Sequence, residues 1–219
     1  AEVNARIVAE FEKAGADVII AQGIEAGGHV HGRSPAFGLA ERILAGTNLP
    51  VVVSGGIATG EGLAAALAIG ASGVQCGTAF LATEESFAHP YHKSRVADAT
   101  SEDTVLTDVF VLNWPKGAAV RVIGNSVTER LKGNYLGHVP DSLPRETIAH
   151  DGDQPRLRFS TDSPLRTTTG DVEAMALYAC QGAGKIPDIV PAAARLNAMV
   201  AQARRILEGT ACTRAKAMT

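Results

Sequence analysis

Cysteine, aromatic residues and net charge are all scarce in this chain, and each scarcity closes off a class of function. Three cysteines in 219 residues, Cys76, Cys180 and Cys212, are odd in number and far apart. They provide neither the even set of a disulfide framework nor the short spacings of a metal site, and they fit free thiols in a reducing, cytoplasmic compartment. Aromatic residues make up 5% of the chain and Trp114 is the sole tryptophan. Stacked bases would find little to rest on, and Trp114, beside Pro115, reads as a packing residue. A formal net charge of -3 offers no cationic field for nucleic acid or for an anionic membrane surface. No apolar run approaches the roughly 20 residues that cross a bilayer. Gly-x-Ser-x-Gly, the elbow of a serine hydrolase, is absent, and so is the Gly-x-Gly-x-x-Gly of a dinucleotide domain. Small anionic or neutral ligands remain as partners.

Glycine, by contrast, is plentiful, with 23 residues, and its placement is informative. An amphipathic helix over 2–14, with Val3, Ile7, Val8 and Phe11 as an apolar stripe that a sheet must cover, runs into Gly15 at a left-handed cap. The apolar run 17–22 follows as a buried strand. Ser34 and Pro35 suit the N-cap and first position of a helix through Ile43 and Leu44 to Gly46; a strand at 50–54, a helix at 61–69 ended by Gly70, and a strand at 73–76 come next. Strand and helix alternating on short connections predict a parallel α/β sheet. The chain starts directly in a helix, which reads as a beginning in mid-domain.

Beyond Thr78 the rhythm changes. A polar segment reaches about Asp103, a strand is expected at 105–111, and residues 133–170 show no periodicity, so that stretch is either functional or partly mobile. A final helix from Pro191 to Gly209 carries Leu196, Met199, Val200, Ala203, Ile206 and Leu207 on one face, to be packed against the sheet. The chain thus divides into βα units over 1–90, a capping excursion over 91–190 and a terminal helix over 191–219.

Three successive strand ends carry small residues: Gln22-Gly23 leading to Gly27-Gly28-His29, then Ser54-Gly55-Gly56, then Gln75-Cys76-Gly77-Thr78. The turn Ser54–Gly60 is compatible with a phosphate cradle aided by the dipole of the helix after it, and equally with a tight βα turn. The second glycine turn one unit later favours the phosphate, because the last two strands of a (β/α)8 barrel commonly share one. His29 follows two glycines, where an imidazole has little cover and exchanges a proton near neutral pH. His31 is the weaker candidate. Glu25 is either paired or solvated, and His89, His92, His138 and His150 read as solvated loop residues without metal-ligand spacing.

At these residues the chain resembles the nitronate monooxygenase family, also called 2-nitropropane dioxygenases. Three blocks carry the likeness, Gly15 to His29, Pro50 to Gly62 and Gly73 to Glu85, with weaker similarity at 103–107, at Arg121 with Asn125, and at Gln181-Gly182-Ala183-Gly184; 133–170 is unmatched. The resemblance implies a (β/α)8 TIM-barrel fold, represented by its last three βα units, a capping region and a helix. It implies FMN as cofactor, with Gln22 and Gly23 near the ring side, Ser54, Gly55, Gly56, Gly77 and Thr78 at the phosphate, and Gly27, Gly28 and Gln75 as further cofactor-binding residues. It makes His29 the catalytic residue and places Tyr178, Gln181 and Lys185 where the pocket closes; Cys180 stands where a glycine is expected. The implied reaction oxidises an alkyl nitronate with dioxygen to a carbonyl compound and nitrite. Five earlier barrel strands have no counterpart, and three strands cannot close a barrel. The partner implied is therefore the N-terminal part of the barrel or another copy of the chain. Two alternatives stay open: an NAD(P)H-dependent flavin reductase of quinones or enoyl thioesters, and a non-catalytic fragment without flavin.

Overall fold

The protein is described here by a computed structural model covering residues 2–217, with side chains over 8–210. Helix α1 (Glu2–Lys13) ends at Gly15, whose φ of 82° is the left-handed cap expected. Strand β1 (Ile19–Gln22) follows, then a glycine-rich turn, and then β2 (Gly28–Val30), which leaves the first sheet for a second one. Helix α2 (Ala36–Leu44), β3 (Val51–Ser54), α3 (Gly60–Ala68) and β4 (Gly73–Gln75) complete the alternation, and β1, β3 and β4 form a parallel sheet in that order. The α/β prediction holds for this part.

Alternation along these strands decides what is buried. Ile19, Ala21, Val51 and Val53 point to one face and are packed by Val8, Ala36, Ala40, Ile43 and Ala66. Each buried valine there contributes roughly 1.5–3 kcal/mol. The opposite face is bare: Ile20 is 52% exposed although it lies mid-strand. Parallel sheets ordinarily need cover on both faces. Phe11 is also exposed, at 49%, so only Val8 of the expected α1 stripe is packed, and the side chains of Val3 and Ile7 lie outside the described residues.

Four expectations need correction. Helix α2 starts one residue later than read, with Pro35 at the N-cap, because the Glu25 carboxylate accepts the Ala36 N–H at 3.0 Å while Ser34 Oγ is engaged by Arg42. The polar segment after Thr78 contains α4 (Thr78–Leu81) and α5 (Pro90–Asp98); α5 buries His92, Lys93 and Val96, so its inward stripe is hidden by polar residue types. Strand β5 (Thr104–Thr107) is shorter than expected and joins β6 (Ala119–Ile123) and β2 in an antiparallel sheet of order β2-β6-β5, which ties the 91–190 region to the first. After α6 (Ser126–Glu129), the aperiodic stretch folds as β7 (Thr147–Asp151), β8 (Gln154–Leu157) and β9 (Thr168–Gly170), another antiparallel sheet. Its hairpin turns at Gly152-Asp153, with Gly152 at φ 58°, a Gly-Asp turn signal legible in the sequence.

Helix α7 (Ala192–Ala217) packs on α3 and not on the sheet. Met199 and Ala203 are buried there, while Leu196, Val200 and Ile206 of the same predicted face are exposed. No helix among the described residues is long and apolar enough to cross a membrane.

The histidines divide differently from the solvated reading. His150 is exposed, His89 caps α5 by accepting the Tyr91 N–H, and His138 donates from Nδ1 to Asp108 at 2.7 Å. His92 is fully buried: its Nε2–H donates to the Tyr178 carbonyl at 3.0 Å, which leaves Nδ1 to accept from the Ser163 hydroxyl. Burial first, helped by His89 and Arg95, pushes its pKa down to about 4. The unfolded chain, with a histidine near 6.5, binds the proton more tightly than the folded one. Stability from this group is therefore complete above about pH 6.5 and is lost as pH falls toward 4, by about 3 kcal/mol at most. Urea midpoints at pH 7.5 and pH 5 should differ in the native chain and converge in His92→Gln; an unchanged gap would refute the assignment.

Candidate functional site

The carboxyl ends of the three parallel strands open into a hollow of about 350 Å³, within the range of small-molecule sites. Pairing in register sets its floor. Gln22 lies beside Ser54 and Ser54 beside Gln75, so two amides and a hydroxyl form one polar row at the strand ends. Gln22 Nε2 donates to the His29 carbonyl at 3.1 Å, which fixes the turn between β1 and β2. The walls come from Gly27, Gly28, Gly55, Gly56, Ile57, Gly77 and Thr78, closed by Tyr178 and Cys180.

Of the residues singled out in the sequence, Gln22, Gly27, Gly28, Ser54, Gly55, Gly56, Gln75, Gly77, Thr78 and Tyr178 meet in this hollow. Gly23 and Gln181 do not line it. A Cβ on Gly23 would fall 2.2 Å from the Glu25 carboxylate and 2.3 Å from the Ala36 nitrogen, so packing against the start of α2 accounts for that glycine. Gln181 is exposed and uses its backbone N–H to reach the Glu25 carbonyl, and Lys185 forms a surface ion pair with Glu61.

The first amide of α3 is not available to the hollow: Gly60 N–H is taken by Gln202 of α7 at 2.9 Å. The free amides lie earlier in the turn: Gly55, Gly56 and Ile57, with Gly77 on the next turn, make no hydrogen bond within the described residues. Gly77 differs from its neighbours in a further respect. It has an ordinary φ of -94°, and a Cβ there would meet nothing within 4 Å. Neither backbone conformation nor protein packing demands glycine at 77, and the open space there leaves room for a group seated against the turn. That cradle fits a phosphate, whose oxygens accept several N–H bonds at once.

His29 stands beside the hollow and not in its wall, on β2 next to Gly28 and against Tyr178. It lies within a strand, paired with Val120 of β6, and the Trp114 and Tyr178 rings give it more cover than the sequence reading expected. Burial, then the charge of His31, lowers its pKa from the usual value near 6.5, so the imidazole is neutral at neutral pH. Burial also raises the Tyr178 phenol well above its usual value, and its hydroxyl donates to the Thr161 carbonyl. Cys76 shares the wall with Cys180, and burial pushes its thiol up to about 11, which suits a space-filling side chain over a nucleophile.

Two residues matter here that the local sequence left unassigned. Arg121, buried on β6, donates from Nε and Nη2 to the Ile24 carbonyl and from Nη1 to Thr104, bracing the glycine turn from 97 residues away. Trp114, read as a packing residue, stacks on His29 with ring centroids 4.1 Å apart. Neither has a local signal, since both act through chain crossings.

Residues 3–202 match the family described as nitronate monooxygenase. A probable nitronate monooxygenase of Staphylococcus haemolyticus (strain JCSC1435) is 41% identical over 139 residues, covering 59% of this chain and 37% of that protein. One of Staphylococcus aureus (strain Newman) is 35% identical over 176 residues, covering 72% of this chain and 48% of that protein. Among solved structures, FabK from Thermotoga maritima superposes with a TM-score of 0.73 at 29% identity, over 95% of this chain and 61% of that one. Nitroalkane oxidase from Streptomyces ansochromogenes does so with a TM-score of 0.68 at 30% identity, over 93% and 57%. The chain spans less than half the length of these two curated relatives. The match over residues 3–202, nearly the whole chain, places the chain in the nitronate monooxygenase family, a family of oxidoreductases.

Proposed function

We propose that this chain supplies the last three βα units, the capping region and the terminal helix of a (β/α)8 flavin barrel, and that the assembled protein oxidises alkyl nitronates with dioxygen. The observation that carries the reading is the cradle at Gly56 and Gly77, two adjacent glycine turns with unengaged amides and room for an anion. Short helix α4 directly after Gly77 suits the phosphate position of such barrels, formed by the loops after the last two strands. The bare sheet face at Ile20, the exposed Phe11 and the uncovered side of α7 support a barrel whose remaining strands and helices would cover them. The domain reading follows: 1–90 as barrel units, 91–190 as cap, 191–219 as the helix that packs on the barrel.

In this function FMN supplies the redox chemistry, accepting electrons from the nitronate and passing them to dioxygen. The chain's residues bind and orient. Amides at Gly55, Gly56, Ile57, Gly77 and Thr78 would hold the phosphate and the Gln22–Ser54–Gln75 row would face the ring, while Gly28 keeps the wall low and Gly27 lets the turn close against the Ala179–Cys180 backbone. Tyr178 closes the site. His29, neutral at working pH, donates an N–H to a nitronate oxygen and so fixes the planar anion, as a neutral imidazole can. The test is to load the protein with FMN, remove free flavin and add substrate without oxygen. Bleaching by propionate 3-nitronate, with nitrite released when oxygen is admitted, is the expected result. Bleaching by NADH with no response to the nitronate would favour reduction of a quinone or enoyl thioester. Failure to retain flavin, alone or with the N-terminal barrel part supplied, would leave a non-catalytic fragment.

A further inference from the structure

Among the described residues two buried side-chain nitrogens lack a hydrogen-bond partner, Arg195 Nε and His29 Nε2. Arg195 is anchored through its other nitrogen to Asp188 at 2.6 Å, but the His29 ring has no hydrogen bond at either nitrogen. An imidazole on which function rests is ordinarily oriented by a carboxylate or carbonyl on its second nitrogen. Here aromatic rings occupy that place. The Trp114 ring lies 4.1 Å away at 41°, and the Tyr178 ring 5.9 Å away at 52°.

Both rings are themselves fixed. Tyr178 is held at its hydroxyl by the Thr161 carbonyl and at its own carbonyl by buried His92. Trp114 sits in the β5–β6 connection, whose backbone is pinned where the Trp114 main-chain N–H donates to the Val111 carbonyl at 3.1 Å and the Leu112 main-chain N–H donates to the Phe159 carbonyl. At 41% exposure its indole is no core residue, so stacking on His29 is the contact that accounts for it. Few charges face the imidazole. His31 acts on it, β6 opposes it with Val120, the Arg121 guanidinium is engaged by Ile24 and Thr104, and Lys116 in the Trp114 turn is exposed.

We propose that Trp114 is a positioning residue for His29: its indole, opposed by the ring of Tyr178, fixes the plane of the imidazole by packing and shields Nε2 from water. This rests on the reading of His29 as the group that meets substrate. Two effects follow from one contact. The ring keeps a single orientation beside the hollow, and its surroundings stay dry enough to disfavour the charged form.

The test compares Trp114→Phe, Trp114→Leu and Trp114→Ala in the FMN-loaded chain. Proton NMR follows the titration of the His29 ring, and kcat and KM are measured with propionate 3-nitronate. Expected in Trp114→Ala is a His29 midpoint raised toward the ordinary value near 6.5. Its kcat should fall roughly tenfold to a hundredfold with KM little changed, while Trp114→Phe retains both properties. The buried His92 titration near 4 should stay put in every variant, reporting an intact fold. If Trp114→Ala does not fold, Trp114→Leu, which keeps bulk without a flat face, carries the comparison. An unmoved His29 midpoint in a folded Ala or Leu variant overturns the proposal whatever the activity. A moved midpoint together with full turnover in His29→Ala would uphold the positioning contact and overturn the catalytic reading instead.

Discussion

Gly77→Val should leave the melting temperature of the flavin-free protein unchanged and abolish retention of FMN. Glycine at 77 has an ordinary φ of -94° and open space where a Cβ would sit, so the free protein should accept the side chain without strain. The bound state should not. A branched side chain there occupies the approach of the phosphate and removes at least two charge-assisted N–H bonds of about 1.5–3 kcal/mol each, a loss of roughly a hundredfold or more in affinity. Gly56 is a poorer site for this experiment: its φ of 71° and the Glu25 Cβ only 3.0 Å from an added Cβ would strain the free protein as well. Calorimetry without flavin and absorbance at the flavin band after gel filtration measure the two halves separately. Full flavin occupancy in a stable Gly77→Val protein would remove the phosphate cradle from the argument.

The second large effect is expected at His29. His29→Ala should lower kcat for the nitronate by about 10²- to 10⁴-fold while FMN affinity stays within about threefold of the native value. The asymmetry has a structural source, since Gly28 and Tyr178 line the hollow and His29 stands behind them. His29→Gln serves as the companion variant, because it keeps a hydrogen-bond donor and part of the surface that Trp114 covers. Comparable losses of turnover and flavin binding in both variants would make the histidine a structural support of the cradle.

The sequence carried the parallel sheet and most of the hollow because both are local. A strand of alternating or continuous apolar residues, a glycine at its end and a helix within a short connection are written in consecutive residues, so β1, β3 and β4 and the turns at Gly27, Gly55 and Gly77 were legible in order. Helix α5 escaped notice because its buried side presents His92 and Lys93, whose polar atoms are satisfied by the carbonyls of Tyr178 and Thr83, partners no window on the sequence contains. The sheet β8-β7-β9 was announced only by Gly152-Asp153, too short a signal against its polar strands.

What the sequence determined by itself was that neighbouring strand ends are built from small residues, which limits the chemistry to a ligand that approaches backbone amides. Tertiary structure alone decided which of those glycines face the hollow and which, like Gly23, serve packing. It also decided that Gln22, Ser54 and Gln75 stand in one row, that Arg121 braces the turn at Ile24, and that Trp114 covers His29. The reason is one of range: conformation at a turn is set by the few residues within it, whereas side-chain neighbours are set by strand register and chain crossings between segments up to 142 positions apart.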